Sequence, residues 1–147
     1  MGERIKSPVE ILLVEDNASD IHLMEEAFQK CGMPYRLRAV QEIAAALTLV
    51  RREGSLRDQI CPDLIILDIQ LSKGAGTDFL RVVKADEKLK MIPVIIMSSS
   101  KSERDVLTCY GLHANCYITK PIRFHDLERI IRNLMNFWAD TVILPRI

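Results

Sequence analysis

Short, largely apolar, strand-like runs that each stop at a charged residue constrain this chain more than any other feature. Val9 to Val14 runs into Glu15 and Asp16, Leu64 to Leu67 into Asp68, and Cys116 to Thr119 into Lys120 and Pro121. Runs this short and partly β-branched fit strands buried on both faces better than helices. Between them the spacing changes. Leu23, Met24, Ala27, Phe28 and Cys31 recur at three and four, which predicts an amphipathic helix over about residues 20–30, stopped by Gly32 with Pro34 beyond. Tyr35 to Val40 alternates as a short strand. Ala44, Leu47 and Val50 mark a second helix that fades at residues 52–54, and residues 55–62 read as a loop. Gly74 and Gly76 signal a turn before a third helix led by Phe79, Leu80, Val82 and Val83. Residues 93–97 form another buried run. Ser100 and Glu103 have capping-box spacing for a helix to about Leu112, and Phe124, Leu127, Ile130, Ile131, Leu134 and Trp138 mark a last helix. Five strands alternating with five helices predict an α/β domain with a parallel sheet joined by right-handed crossovers.

Composition narrows the function. With 147 residues, 48% of them apolar, the chain can build one proper core, which argues against disorder. Twenty basic residues balance twenty acidic ones, so the overall charge recommends neither nucleic acid nor an anionic membrane. No apolar run approaches the roughly 18 residues of a membrane span, and the start lacks the apolar stretch of a signal peptide. A cytoplasmic protein is expected. Cys31, Cys61, Cys109 and Cys116 contain no CxxC pair and read as reduced thiols rather than a disulfide framework or zinc site. His22, His113 and His125 show no ligand spacing, and Arg51, Arg52 and Arg57 read as a solvated helix end rather than a DNA site.

In a parallel sheet the carboxyl ends of the strands share one edge, where open α/β folds bind ligands. Glu15, Asp16 and Asp68 then converge there with Lys120. Like charges brought together need a cation, and a few carboxylates with water and phosphate oxygens suit Mg²⁺; Ca²⁺ would want more protein oxygens. Asp68, emerging from an apolar run, is placed to attack phosphorus and form an acyl phosphate, although an Asp that merely caps a loop or helix is the alternative. Lys120 would stabilise charge on the equatorial oxygens, or else serve as a structural partner of Asp68. Pro121 fits a fixed turn, with a cis bond as one way to aim the lysine inward. Ser98 could hydrogen-bond a phosphoryl oxygen, or act as a turn residue beside Ser99 and Ser100.

Val14-Glu15-Asp16-Asn17, Pro62-Asp63-Leu64-Ile65-Ile66-Leu67-Asp68, Pro93-Val94-Ile95-Ile96-Met97-Ser98 and Tyr117-Ile118-Thr119-Lys120-Pro121, in this order, resemble the receiver domain of two-component response regulators. The resemblance covers the chain from Val9 to about Trp138, with residues 139–147 as a C-terminal tail. It implies a flavodoxin-like, doubly wound (βα)5 sandwich with a parallel five-stranded sheet of order 2-1-3-4-5. It implies Asp68 as phosphoacceptor, Asp16 as the main Mg²⁺ carboxylate with Glu15 beside it, and Gln70 as donor of a backbone carbonyl to the metal. Lys120 matches the phosphoryl-binding lysine, Ser98 the switch hydroxyl, and Tyr117 the aromatic that turns with it; plain core filling is the alternative for Tyr117. The stretch from Leu112 to Lys120, with Phe137-Trp138 and the Val-Ile-Leu-Pro tail, looks like the single-domain regulators paired with bacterial phytochrome kinases. One loop departs from the family. It reads Leu71-Ser72-Lys73-Gly74-Ala75-Gly76, where relatives usually place proline near Ser72 and an acidic or small polar residue near Ala75, so loop rigidity and phosphate lifetime do not carry over.

A haloacid-dehalogenase-type phosphoaspartate hydrolase is the main rival from another class, but such enzymes place a second Asp two residues on, and here that residue is Gln70. An amide cannot donate and recover a proton. A receiver-like module that is never phosphorylated and acts only by binding is the other rival. With no sequence left for a DNA-binding output domain, output through protein contacts is expected. Ile130 and Phe137 lie on one margin of the last helix's apolar face, and Phe124 and Met135 on the other. On a helical wheel they spread over about 160°, wider than a roughly 100° stripe. Together with Val142, Ile143 and Leu144 this predicts a homodimer through the last helix and tail; a tail folded back on its own domain is the alternative.

Overall fold

The computed structural model describes residues 7–52, 61–71 and 76–147, so the unusual loop at Ser72 to Ala75, Arg57 and most of the loop at 55–62 lie outside the described residues. Five strands form one parallel sheet: β1 (Val9–Val14), β2 (Tyr35–Val40), β3 (Leu64–Leu67), β4 (Val94–Ser98) and β5 (Cys116–Thr119). Five helices alternate with them: α1 (Ala18–Gln29), α2 (Ile43–Val50), α3 (Gly76–Ala85), α4 (Glu103–Gly111) and α5 (Phe124–Met135). The strand order is β2-β1-β3-β4-β5. Leu12 faces Arg38 on one side and Ile65 on the other, which fixes the register of β1.

Alternation along the central strands explains the two layers. Leu12, Val14, Ile65, Leu67, Val94 and Ile96 point to one face, where they pack under Ala46, Leu49 and Val50 of α2 and Phe79, Leu80 and Val83 of α3. Ile11, Leu13, Leu64, Ile66, Ile95 and Met97 point to the other, under Met24, Ala27 and Phe28 of α1 and Leu127, Ile131 and Leu134 of α5. Both sets are buried, so a one-residue slip would only exchange apolar faces; the charged strand ends give the register its meaning. Each side chain of this size contributes about 1.5–3 kcal/mol by leaving water. Cys31 and Cys109 belong to these cores.

Three local expectations change. α2 buries Ala46, Leu49 and Val50 and exposes Ala44, because its sequence is apolar all round apart from Thr48 and the sheet, not the periodicity, chooses the face. The helix after β4 is capped by Ser102, whose hydroxyl accepts from Asp105 N–H at 3.4 Å, rather than by Ser100 with Glu103. Both pairs have the same spacing, and the serine nearer the first helical turn takes the cap. No cis peptide occurs among the described residues, so Pro121 aims Lys120 through a trans bond. Beyond α5 the chain widens into π-helical turns at Asn136–Thr141. Leu144 then packs beside the α1/α5 core, and Ile147 reaches the opposite one.

Candidate phosphoacceptor site

The order of strands reverses between β1 and β3, and their carboxyl ends carry the acids. Glu15 N–H donates to Val40 carbonyl at 3.0 Å and Asp68 N–H to Val14 carbonyl at 3.0 Å, so the ladder continues past each strand and holds both acids at the sheet edge. Lys120 N–H donates to Ser98 carbonyl at 2.8 Å, tying the end of β5 to that of β4. Gly76 completes the frame from α3. A Cβ there would lie 2.5 Å from the Asp68 carbonyl oxygen and 2.6 Å from Ile69 Cα, so only glycine lets the start of α3 close over the acceptor strand.

Lys120 Nζ is the hub. It donates to Glu15 Oε2 at 2.6 Å, Asp68 Oδ2 at 2.7 Å and Asp20 Oδ2 at 2.9 Å. Glu15 and Asp68 are only 3% and 5% exposed, so the carboxylates need a cation, and here the ammonium is that cation. Their other oxygens are held locally. Gln70 N–H donates to Asp68 Oδ1 at 2.8 Å, and Asn17 N–H to Glu15 Oε1 at 3.1 Å. Leu13, Met24, Ile66, Met97 and Pro121 line the cavity around these groups, an apolar wall that strengthens each ion pair.

Burial pushes the Glu15 carboxyl up to about 7, against the lowering effect of Lys120 and the Asn17 amide. Burial also opposes the charge on Lys120, but its hydrogen bonds to Asp68, Glu15 and Asp20 outweigh that and raise its pKa above the ordinary lysine range. Asp16 follows Glu15 at the end of β1, half-buried. Among the described residues no three His, Cys, Asp or Glu side chains already form a cage for a metal, since the acids close on the ammonium instead. Their chemistry fits a hard divalent cation all the same. Glu15, Asp16 and Asp68 are oxygen donors clustered at one strand edge, and an ion such as Mg²⁺ needs only a few of them.

Ser98 is fully buried at the end of β4, and its Oγ accepts from Ser100 N–H at 3.2 Å. Tyr117 Oη donates to Ser100 carbonyl at 2.8 Å, while Tyr117 N–H donates to Tyr110 Oη at 3.2 Å. The Ser100 hydroxyl bonds Asp105 Oδ2. Ser98 and Tyr117 are therefore linked through Ser100, and the link continues into α4. Ser99 Oγ donates to Gln70 Oε1 at 2.7 Å across the mouth of the site. Asp20 is the residue that sequence reasoning passed over, and Ser100, read there as a helix cap, is instead the link between Ser98 and Tyr117. Asp20 carried one usable signal, its place three residues after Asn17, whose side chain caps α1 by accepting from Asp20 N–H at 3.0 Å.

Residues 11–132 match the model of the response regulator receiver domain. Response regulator Rcp1 of Synechocystis is 34% identical over 145 residues, which cover 99% of either chain. The crystal structure of the phosphorylated cyanobacterial phytochrome response regulator RcpA is 38% identical, covers 95% of this chain and all 100% of that one, and superposes with a TM-score of 0.89. The Mn²⁺-bound form of Rcp1 is 35% identical, with coverage of 95% and 100% and a TM-score of 0.86. The sheet order, the acids at the strand ends and these likenesses agree: the chain belongs to the response regulator receiver domain family.

Proposed function

We propose that this receiver takes a phosphoryl group from the phosphohistidine of a histidine kinase onto Asp68 and passes the signal on by protein contact. An Asp68 oxygen attacks phosphorus, an aspartyl phosphate bond forms, the phosphorus–nitrogen bond breaks and the imidazole leaves. Glu15, Asp16, Asp68 and the backbone carbonyl of Gln70 would hold Mg²⁺, which when bound neutralises charge on the phosphoryl oxygens. Lys120 stabilises the charge on the equatorial oxygens, and its 2.7 Å contact with Asp68 Oδ2 is the observation that carries the reading. Ser98 is the hydroxyl drawn to the phosphoryl group. Since Ser100 joins it to Tyr117 and Asp105, movement of Ser98 loosens the start of α4 and the tyrosine together.

Likeness to RcpA supports a phytochrome-type kinase as donor. The half-exposed Phe137 and fully exposed Ile143 support a homodimer through α5 and the tail, and the balance of twenty basic and twenty acidic residues supports a reading without a nucleic-acid or membrane partner. A histidine-kinase donor supports action in the cytoplasm; separately, no helix among the described residues is long and apolar enough to cross a membrane. Incubation with acetyl phosphate and Mg²⁺ tests the function. A stable phosphoryl mass increase that is absent in Asp68→Asn is expected; multiple turnover would indicate a hydrolase, and no increase a binding module.

A further inference from the structure

We propose that Asp20 is a positioning residue for this phosphoryl transfer, holding Lys120 over Asp68 when Glu15 and Asp68 turn to the metal; the inference rests on the function proposed above. Lys120 Nζ has three protons and three carboxylate acceptors at 2.6, 2.7 and 2.9 Å. Two of those acceptors, Glu15 and Asp68, are the ones a divalent cation would share. Asp20 alone is outside that set. A lysine stem is flexible, and near a dication an ammonium without an anchor would swing away, taking with it the charge that should meet the phosphoryl oxygens.

Asp20 is built to stay in place. Its N–H donates to Asn17 Oδ1 at 3.0 Å, the cap that opens α1, and this tether does not depend on the Glu15 carboxylate. It lies in the first turn of α1, where the helix dipole favours a negative charge. The resulting arrangement gives one ammonium two kinds of partner. Glu15 and Asp68 hold it before the site is loaded, and Asp20 holds it throughout.

The test uses the full chain with Asp20→Asn, Asp20→Glu and Asp68→Asn variants, acetyl phosphate and Mg²⁺, with phosphoryl uptake followed by intact mass. The limiting rate of Asp20→Asn is expected to fall about tenfold, while its Mg²⁺ dissociation constant, measured by calorimetry, stays within about twofold of the parent. Asp20→Glu should recover part of the rate. In the metal-free protein, ¹⁵N-selective NMR should show Lys120 ammonium protons protected from water in the parent and less so in Asp20→Asn. A parental rate in Asp20→Asn, a matching loss of Mg²⁺ affinity, or equal ammonium exchange in the two proteins would each overturn the role of Asp20. If the unsubstituted protein takes up no phosphoryl group, the proposed function fails and this inference with it; uptake by the parent with an unaffected Asp20→Asn removes only the latter.

Discussion

At Glu15, burial and ion pairing pull in opposite directions, and burial prevails. Its folded pKa of about 7 lies above the ordinary 4.5, so between those values the folded protein keeps a proton that the unfolded chain has released. The share of stability that Glu15 contributes to the metal-free protein is therefore full below about 4.5 and is lost as pH rises through about 7. Urea denaturation at pH 5.5 and 8 should show a loss of stability that Glu15→Gln largely abolishes; a parental slope in that variant would refute the assignment. Gly76 belongs at the same scale. A methyl group there meets backbone rather than a movable side chain, so Gly76→Ala should cost about 1–3 kcal/mol and slow phosphoryl uptake, measured by denaturation and intact mass. Glu15, Asp68 and Lys120 were legible in the sequence because each ends an apolar run. Asp20 was not, since an acid in a first helical turn has an ordinary capping explanation and only folding brings it to a lysine 100 positions away.

The secondary elements show where local pattern suffices. β3 and β4 were visible because a strand buried on both faces is apolar almost without interruption, and α5 because its apolar residues hold a clear three-and-four spacing. α2 was found with Leu47 and Val50 on its inner side, but Ala44 was misplaced, since a helix apolar on nearly all sides has little period to read. Junctions between elements carry stability that no pattern announces. Lys84 Nζ donates to Lys90 carbonyl at 3.0 Å, Ile92 carbonyl at 2.8 Å and Asn115 Oδ1 at 3.2 Å, clamping the end of α3 to the approaches of β4 and β5. Burial holds its pKa below the ordinary lysine value. Lys84→Met leaves those acceptors short of a donor and should lower unfolding stability by about 1–3 kcal/mol, read from the urea midpoint. An unchanged midpoint would mean that water replaces the ammonium.

For the whole molecule, the sheet order decides where function can sit, because the reversal between β1 and β3 opens a crevice at the edge that carries the acids. The far end of the fold bears the tail. Leu144 and Ile147 pack on their own domain while Phe137 and Ile143 remain exposed, so the tail divides its apolar residues between the core and the outside. Sedimentation at micromolar concentration should give a dimer for the parent and a monomer for Phe137→Asp, without loss of folding; a monomeric parent would remove the homodimer. The sequence by itself determined the α/β class, the five strands and the charged residues that end three of them, because strand burial and helix amphipathicity are local patterns. Only the tertiary structure decided that Asp20 joins Glu15 and Asp68 on one ammonium, and that Ser100 connects Ser98 with Tyr117. The contacts of Lys120 and of Tyr117 join separate elements of the chain, and their geometry is set by packing that no short stretch of sequence encodes.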